Sequence, residues 1–339
     1  MKNIIFSLLI LVSINLAAQN KVVHKHHSCN KYIACCKDAK EELAEQIKDS
    51  KISKCKMFTN NTGNKDILAL VGETIYNSFG KPVFKKTYSS DGNISKEVIK
   101  YNQQGNETEI IDYAGNLIEK WKIIKKYDDI GREIERLSLD NTGKNQGKTE
   151  FIYDNEGNLV EEQGYSGNNV LVSIRNYQYN ERGVLIKKIS KTGAGKEIGI
   201  ETLKYDDKGN IIEDEFNDLE SKYITKYKYE YDNDGNETSF KRLYGNDIIL
   251  ENYTYKYDEK GNRIETEYKD RGSVHTILSV KYDENNNKVE EILKLSDGSL
   301  SSKNTYKYDK KGNIVEEQQW DIKSGEVNMN TRYEYEYFK

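Results

Sequence analysis

A single proline, Pro82, interrupts the 339-residue chain, and beyond the N-terminus no apolar run approaches the roughly 18 residues that a membrane-spanning helix needs. Helical membrane spans in the mature chain are excluded on that count. A basic excess is also missing: 52 Lys and Arg stand against 56 Asp and Glu, a formal net charge of −4. That balance excludes the electrostatic footprint of a nucleic-acid binder. Apolar residues are few, because exchanging the 26 tyrosines for the 24 glycines in the 36% hydrophobic share leaves roughly 35%, against about 45–50% in ordinary globular chains. A large conventional core is therefore not expected.

Cysteine and histidine are scarce and local. Met1-Lys2-Asn3, the apolar run from Ile4 to Ala17 and the small residues before Gln19 read as a signal peptide over 1–18, so we expect an exported, unlipidated protein, secreted or periplasmic or at the cell surface. All four cysteines, Cys29, Cys35, Cys36 and Cys55, lie in the segment 19–70, and in an oxidising compartment they suggest two disulfides of undetermined connectivity. Between them Ala39, Leu43 and Ile47 mark the stripe of a short amphipathic helix within Asp38 to Lys48. His24, His26 and His27 precede Cys29, and imidazole with thiolate is competent to hold zinc or copper, although the spacing fits no structural zinc pattern.

From about Tyr76 the chain repeats. Tyr76, Tyr101, Tyr127, Tyr153, Tyr179, Tyr205, Tyr231, Tyr257, Tyr282 and Tyr308 follow one another at 25 or 26 residues, the mark of a repeat architecture over 71–339. Most are followed by an acidic residue and then a glycine: Asp128 and Gly131, Asp154 and Gly157, Asp206 and Gly209, Asp232 and Gly235, Asp258 and Gly261, Asp309 and Gly312. In one unit Asn286 replaces the glycine after Asp283. Asp caps a type I turn with its own side chain, and Gly takes the positive φ that rejoins the hairpin. A second turn halfway through each unit, such as Ser296 to Ser299, leaves two strands of about eight or nine residues.

The expected fold is mainly β: an antiparallel meander of about ten 26-residue, two-stranded repeats, forming a curled or superhelical sheet or shell, with a small N-terminal helical segment. The apolar residue three past each glycine, such as Ile134 and Ile212, is expected on the buried face with Arg136, Glu162, Lys188, Asp214 and Glu317. The helical segment is expected to cover the first end, and the charge alternation of Tyr333 to Lys339 to discourage pairing at the last. Charges recurring on each face argue against a lipid-facing barrel.

Tyr253 to Asn262, Tyr306 to Asn313 and Tyr127 to Arg132 resemble the YD repeat of RHS proteins, and the resemblance runs from Tyr76 onward. It implies a spiralling β-sheet shell, in some members enclosing a toxin and in others serving adhesion or carbohydrate binding. The chain departs from that pattern in its longer period and in Gly-Asn where the family favours Gly-Arg.

Catalytic motifs are not found: Gly164 to Gly167 fails the nucleophile elbow, and Gly147-Lys148-Thr149 lacks the upstream glycine of a phosphate loop. We expect no enzyme and no cofactor. Tyr227, Tyr229, Tyr253, Tyr255 and Tyr306 are candidate surface-binding rings for a protein or polysaccharide partner, and a structural shell or spacer tied to an effector or toxin system is the alternative.

Overall fold

A computed structural model describes residues 34–60, 68–115 and 118–339, with no side-chain description for 34–39, 41 and 42. The expected signal peptide, His24, His26, His27 and Cys29 lie outside the described residues, as do the side chains of Cys35, Cys36 and Ala39.

Among the described residues one helix, α1 (Ala34–Asp49), precedes 22 strands numbered in chain order from β1 (Ile52–Asn60) and β2 (Leu68–Tyr76) to β22 (Val327–Tyr337). All belong to one hydrogen-bonded sheet. The described residues divide into two compact units, one of those within 1–81, 229–241 and 249–339, the other of those within 82–228 and 242–248.

Turn chemistry explains the repeat. At Asp206 the amide donates to the carbonyl of Asn210 at 2.9 Å, while Gly209, at φ +88°, donates to the Asp206 carbonyl at 3.1 Å. Oδ1 of Asp206 accepts the Asn210 amide at 2.8 Å, and Oδ2 accepts the Asn210 side-chain amide at 2.9 Å. Both carboxylate oxygens are thus occupied within the turn, and the same pair recurs as Asp154 with Asn158, Asp232 with Asn236, Asp258 with Asn262, Asp283 with Asn287 and Asp309 with Asn313. Gly-Asn is therefore a functional unit of the turn. Arg132 fills the same place at Asp128, its Nε 2.6 Å from Oδ2. Asn286 adopts φ +63°, the conformation that glycine supplies elsewhere.

The repeat tyrosine has a second task. Its hydroxyl donates to a backbone carbonyl about 20 residues upstream, beside the preceding turn: Tyr127 to Glu107 at 2.6 Å, Tyr153 to Glu133 at 2.9 Å, Tyr179 to Leu159 at 2.8 Å, Tyr205 to Leu185 at 2.7 Å. Tyr257, Tyr308 and Tyr335 do likewise. Each hydroxyl ties one hairpin to the next. Neighbouring side chains or water would have satisfied it equally, so spacing alone does not reveal the partner.

Apolar packing differs from expectation in one respect. Past each turn the ladder skips a residue: Tyr127 faces Glu133 and Lys126 faces Glu135, leaving Ile134 in the bulge. Ile134 and Ile212 are consequently exposed. The packed residue is the one before, as in the cluster of Tyr177, Leu185 and Leu203 with Leu159 and Ile211 around it. In the other unit Met57, Tyr306, Ile314 and Tyr333 form the equivalent cluster.

The open curled or superhelical sheet is overturned by the pairing of the first strand with the last. β1 lies antiparallel to β22, with Cys55 opposite Tyr335, Met57 opposite Tyr333 and Thr59 opposite Thr331, while its other edge pairs with β2. The meander is a closed antiparallel circuit of 22 strands, with the topology of a β-barrel. Charge is the physical reason that the C-terminal alternation fails to block pairing. Lys56 stands opposite Glu334 and Lys54 opposite Glu336, and the Lys56 ammonium lies 3.0 Å from the Glu336 carboxylate. The acidic residues meet a basic strand, and the pairing they would deter in another copy is favoured here.

On this seam sits α1. Ala44 and Ile47 are buried, Lys51 ends the helix at φ +56°, and Gly80 approaches so closely that a Cβ there would lie 1.8 Å from the Ala44 carbonyl oxygen. Glycine at 80 permits both that contact and its own φ of +73°.

Candidate binding face

The tyrosine-bearing face supplies the candidate site. In the unit that includes 229–241 and 249–339, aromatic rings line up across five successive strands. Tyr229 comes from β14 (Tyr223–Tyr231), Phe240 from β15 (Glu237–Tyr244), Tyr253 from β16 (Ile248–Tyr257), Tyr268 from β17 (Arg263–Asp270) and His275 from β18 (Ser273–Tyr282). Ring centroids follow at 5.4, 5.8, 4.8 and 5.7 Å. Tyr253 and Tyr268 oppose each other directly in the ladder, which brings their side chains to the same face and lets them stack.

Tyr255 extends the row sideways, 6.4 Å from Tyr253. The Arg263 guanidinium covers its ring at 4.1 Å. Burial raises the Glu237 carboxyl above its ordinary range, opposed by the Arg263 charge and by a hydrogen bond with Tyr255. The row is half-buried along most of its length and exposed at His275. Such a strip offers flat apolar faces with phenolic edges, suited to stacking and hydrogen bonding without covalent chemistry.

Of the five tyrosines singled out from the sequence, Tyr229, Tyr253 and Tyr255 belong to this row and Tyr227 is half-buried. Tyr306 is a correction: only 6% exposed, it packs in the core and donates to Glu291 at 2.5 Å beneath the Lys288 ammonium, 4.5 Å from its ring. Phe240 and Tyr268 escape the sequence reading because they lie on the strands after the repeat turn. Their signal was their register, nine and eleven residues past Tyr231 and Tyr257.

Of the charged groups expected on this face, Arg136, Glu162 and Lys188 are ion-paired, whereas Asp214 and Glu317 are buried carboxyls. Lys188 holds Glu201 at 2.6 Å, and Lys288 holds Glu291 at 2.8 Å. Burial raises the Glu317 carboxyl, with Lys288 opposing and Glu291 reinforcing the shift. On the opposite face, lysines preceding the repeat tyrosines pair across strands with glutamates, as Lys126 with Glu135, Lys204 with Glu213 and Lys256 with Glu265, each at 2.7 Å. The turn residues Asp128, Asp154, Asp206, Asp232, Asp258, Asp283 and Asp309 are occupied internally as described above. Among the described residues no three His, Cys, Asp or Glu side chains gather as a metal site.

Cys55 is a free thiol in a narrow crevice under Leu43, Gln46 and Ile47 of α1, and burial pushes its pKa up to about 12 against a weaker opposing contact with Tyr335. It is an inert, packed cysteine in this form.

No protein-family model and no curated protein sequence matches the chain. Solved structures resemble it weakly. A crystal structure of TcdB2-TccC3-Cdc42 is 14% identical with a TM-score of 0.44, the match covering 85% of this chain and 17% of that one. A porin-like protein from Bacteroides uniformis is 10% identical with a TM-score of 0.31, covering 84% and 98% of the two chains. The Photorhabdus luminescens Tc holotoxin pore is 13% identical with a TM-score of 0.25, covering 85% and 17%. This chain thus spans about a sixth of the two toxin chains.

Proposed function

We propose that the protein is an exported, non-enzymatic β-repeat scaffold of the cell envelope or extracellular space that binds a protein or polysaccharide partner. The observation that carries this reading is the aromatic row from Tyr229 to His275, laid across five strands with its rings in mutual contact. Extended partners running perpendicular to the strands would meet one ring per strand, and sugar faces stack on such rings. Charges on the lysine and glutamate face disfavour a lipid-embedded role, since Arg or Lys near a bilayer midplane costs about 2–4 kcal/mol. Among the described residues no helix is long and apolar enough to cross a membrane.

The test is a glycan array together with a pull-down from envelope extract, run with the wild type and with Tyr253→Ala/Tyr268→Ala. Retention by the wild type and loss in the variant supports the reading; silence of the wild type in both assays removes it. A second reading, a shell or spacer associated with an effector or toxin system, is favoured by the closed strand circuit and the resemblance to RHS repeats. It expects co-purification of an effector with the native chain and no effect of the Tyr253 and Tyr268 changes.

A further inference from the structure

The 82–228 unit contains a carboxyl whose surroundings do not suit its charge. Asp214, on β13 (Ile211–Asp218), is 5% exposed and its Oδ1 has no hydrogen-bond partner. Its cross-strand neighbours are Leu203 of β12 (Glu197–Tyr205) and Tyr227 of β14. The cation that opposes the shift, Lys188 of β11 (Leu185–Thr192), is bound to Glu201 of β12 at 2.6 Å. Glu201 adds a like charge, and Tyr205 of β12 contributes a neutral ring whose hydroxyl is given to Leu185. An ionised Asp214 is therefore desolvated and repelled, and the Lys188 charge that opposes this is shared with a competitor.

We propose that Asp214 is a proton-dependent stabiliser of this unit, so that mild acid tightens the fold. Burial first, then Glu201, raise its pKa from 3.8 to about 6, with Lys188 opposing. Because the folded value lies above the unfolded one, the stabilisation is complete below about pH 4 and lost as pH rises through about 6. The turn aspartates behave oppositely. At Asp206, burial alone would raise the carboxyl, but hydrogen bonds from the side chain and backbone of Asn210 hold it below its usual range. Their contribution disappears only at lower pH, below the ordinary aspartate range, so the two windows separate. Most proteins lose stability on first acidification, whereas this unit is expected to gain.

Equilibrium urea unfolding of the full chain tests the proposal at about pH 5 and about pH 7.5. From the shift above, the Asp214 contribution makes the unfolding constant about tenfold smaller at the lower pH. Asp214→Asn is expected to unfold at higher urea than the wild type near pH 7.5 and to lose that tenfold response. A wild type no more stable near pH 5, or a variant with an unaltered pH response, would overturn the assignment. Should the variant not fold, carboxyl NMR titration of wild-type Asp214 decides: a midpoint near 6 supports the proposal and one near 4 refutes it.

Discussion

Replacing Asp206 by alanine removes one residue of a turn and strands two donors of its neighbour. The backbone amide and the side-chain amide of Asn210 both end on the Asp206 carboxylate, at 2.8 and 2.9 Å, and Asn210 is only 5% exposed. Each buried donor left without an acceptor costs about 1–3 kcal/mol. Partial access of water to the turn places the expected loss near the lower end, about 2–4 kcal/mol. Asn210→Ala should cost less, because it deletes one donor together with its need for a partner. The double variant should lose less than the sum of the two, by about 1 kcal/mol, which is the side-chain pair itself. Urea unfolding followed by circular dichroism at neutral pH measures all three, read as midpoint changes at constant slope. A loss below about 0.5 kcal/mol for Asp206→Ala would refute the claim that this pair, and not the glycine alone, fixes the turn.

Tyr205→Phe retains the ring and deletes only the hydroxyl given to the Leu185 carbonyl, so an expected loss of about 1 kcal/mol in the same assay isolates the clamp between hairpins. Gly80→Ala forces a Cβ against the Ala44 carbonyl and a strained φ, so displacement of α1 should appear as faster proteolysis after Lys40 and a stability loss above about 1 kcal/mol. Lys56→Glu places like charges opposite Glu334 and beside Glu336, so β22 should exchange its amides faster, an effect that added salt diminishes.

Sequence spacing reveals the hairpins because each turn is written in local chemistry: Asp128 and Gly131 need only each other and the chain between them. It also places Tyr229, Tyr253 and Tyr255 on one face, since alternation along a strand is local as well. What lies across the sheet is less legible. The asparagine that closes most of these turns reads as a departure from a Gly-Arg pattern until its side chain is seen on the aspartate. The tyrosine hydroxyl ends on a carbonyl 20 residues away, a contact set by hairpin geometry and bulge. Ile134 was misplaced because the extra residue in the bulge shifts the period of two by one. Closure was hardest, for it joins Lys54 and Lys56 to Glu334 and Glu336 across nearly the whole chain, and only their matched charges hint at it.

Closure is tested most directly by residue-resolved amide hydrogen exchange from Lys54 to Thr59. With β2 on one edge and β22 on the other, successive amides in this stretch all have strand neighbours, and protection is expected along the whole run. An open sheet would leave the β22-facing edge unpaired, and alternate amides exchanging at the rate of a free peptide would contradict the closed circuit.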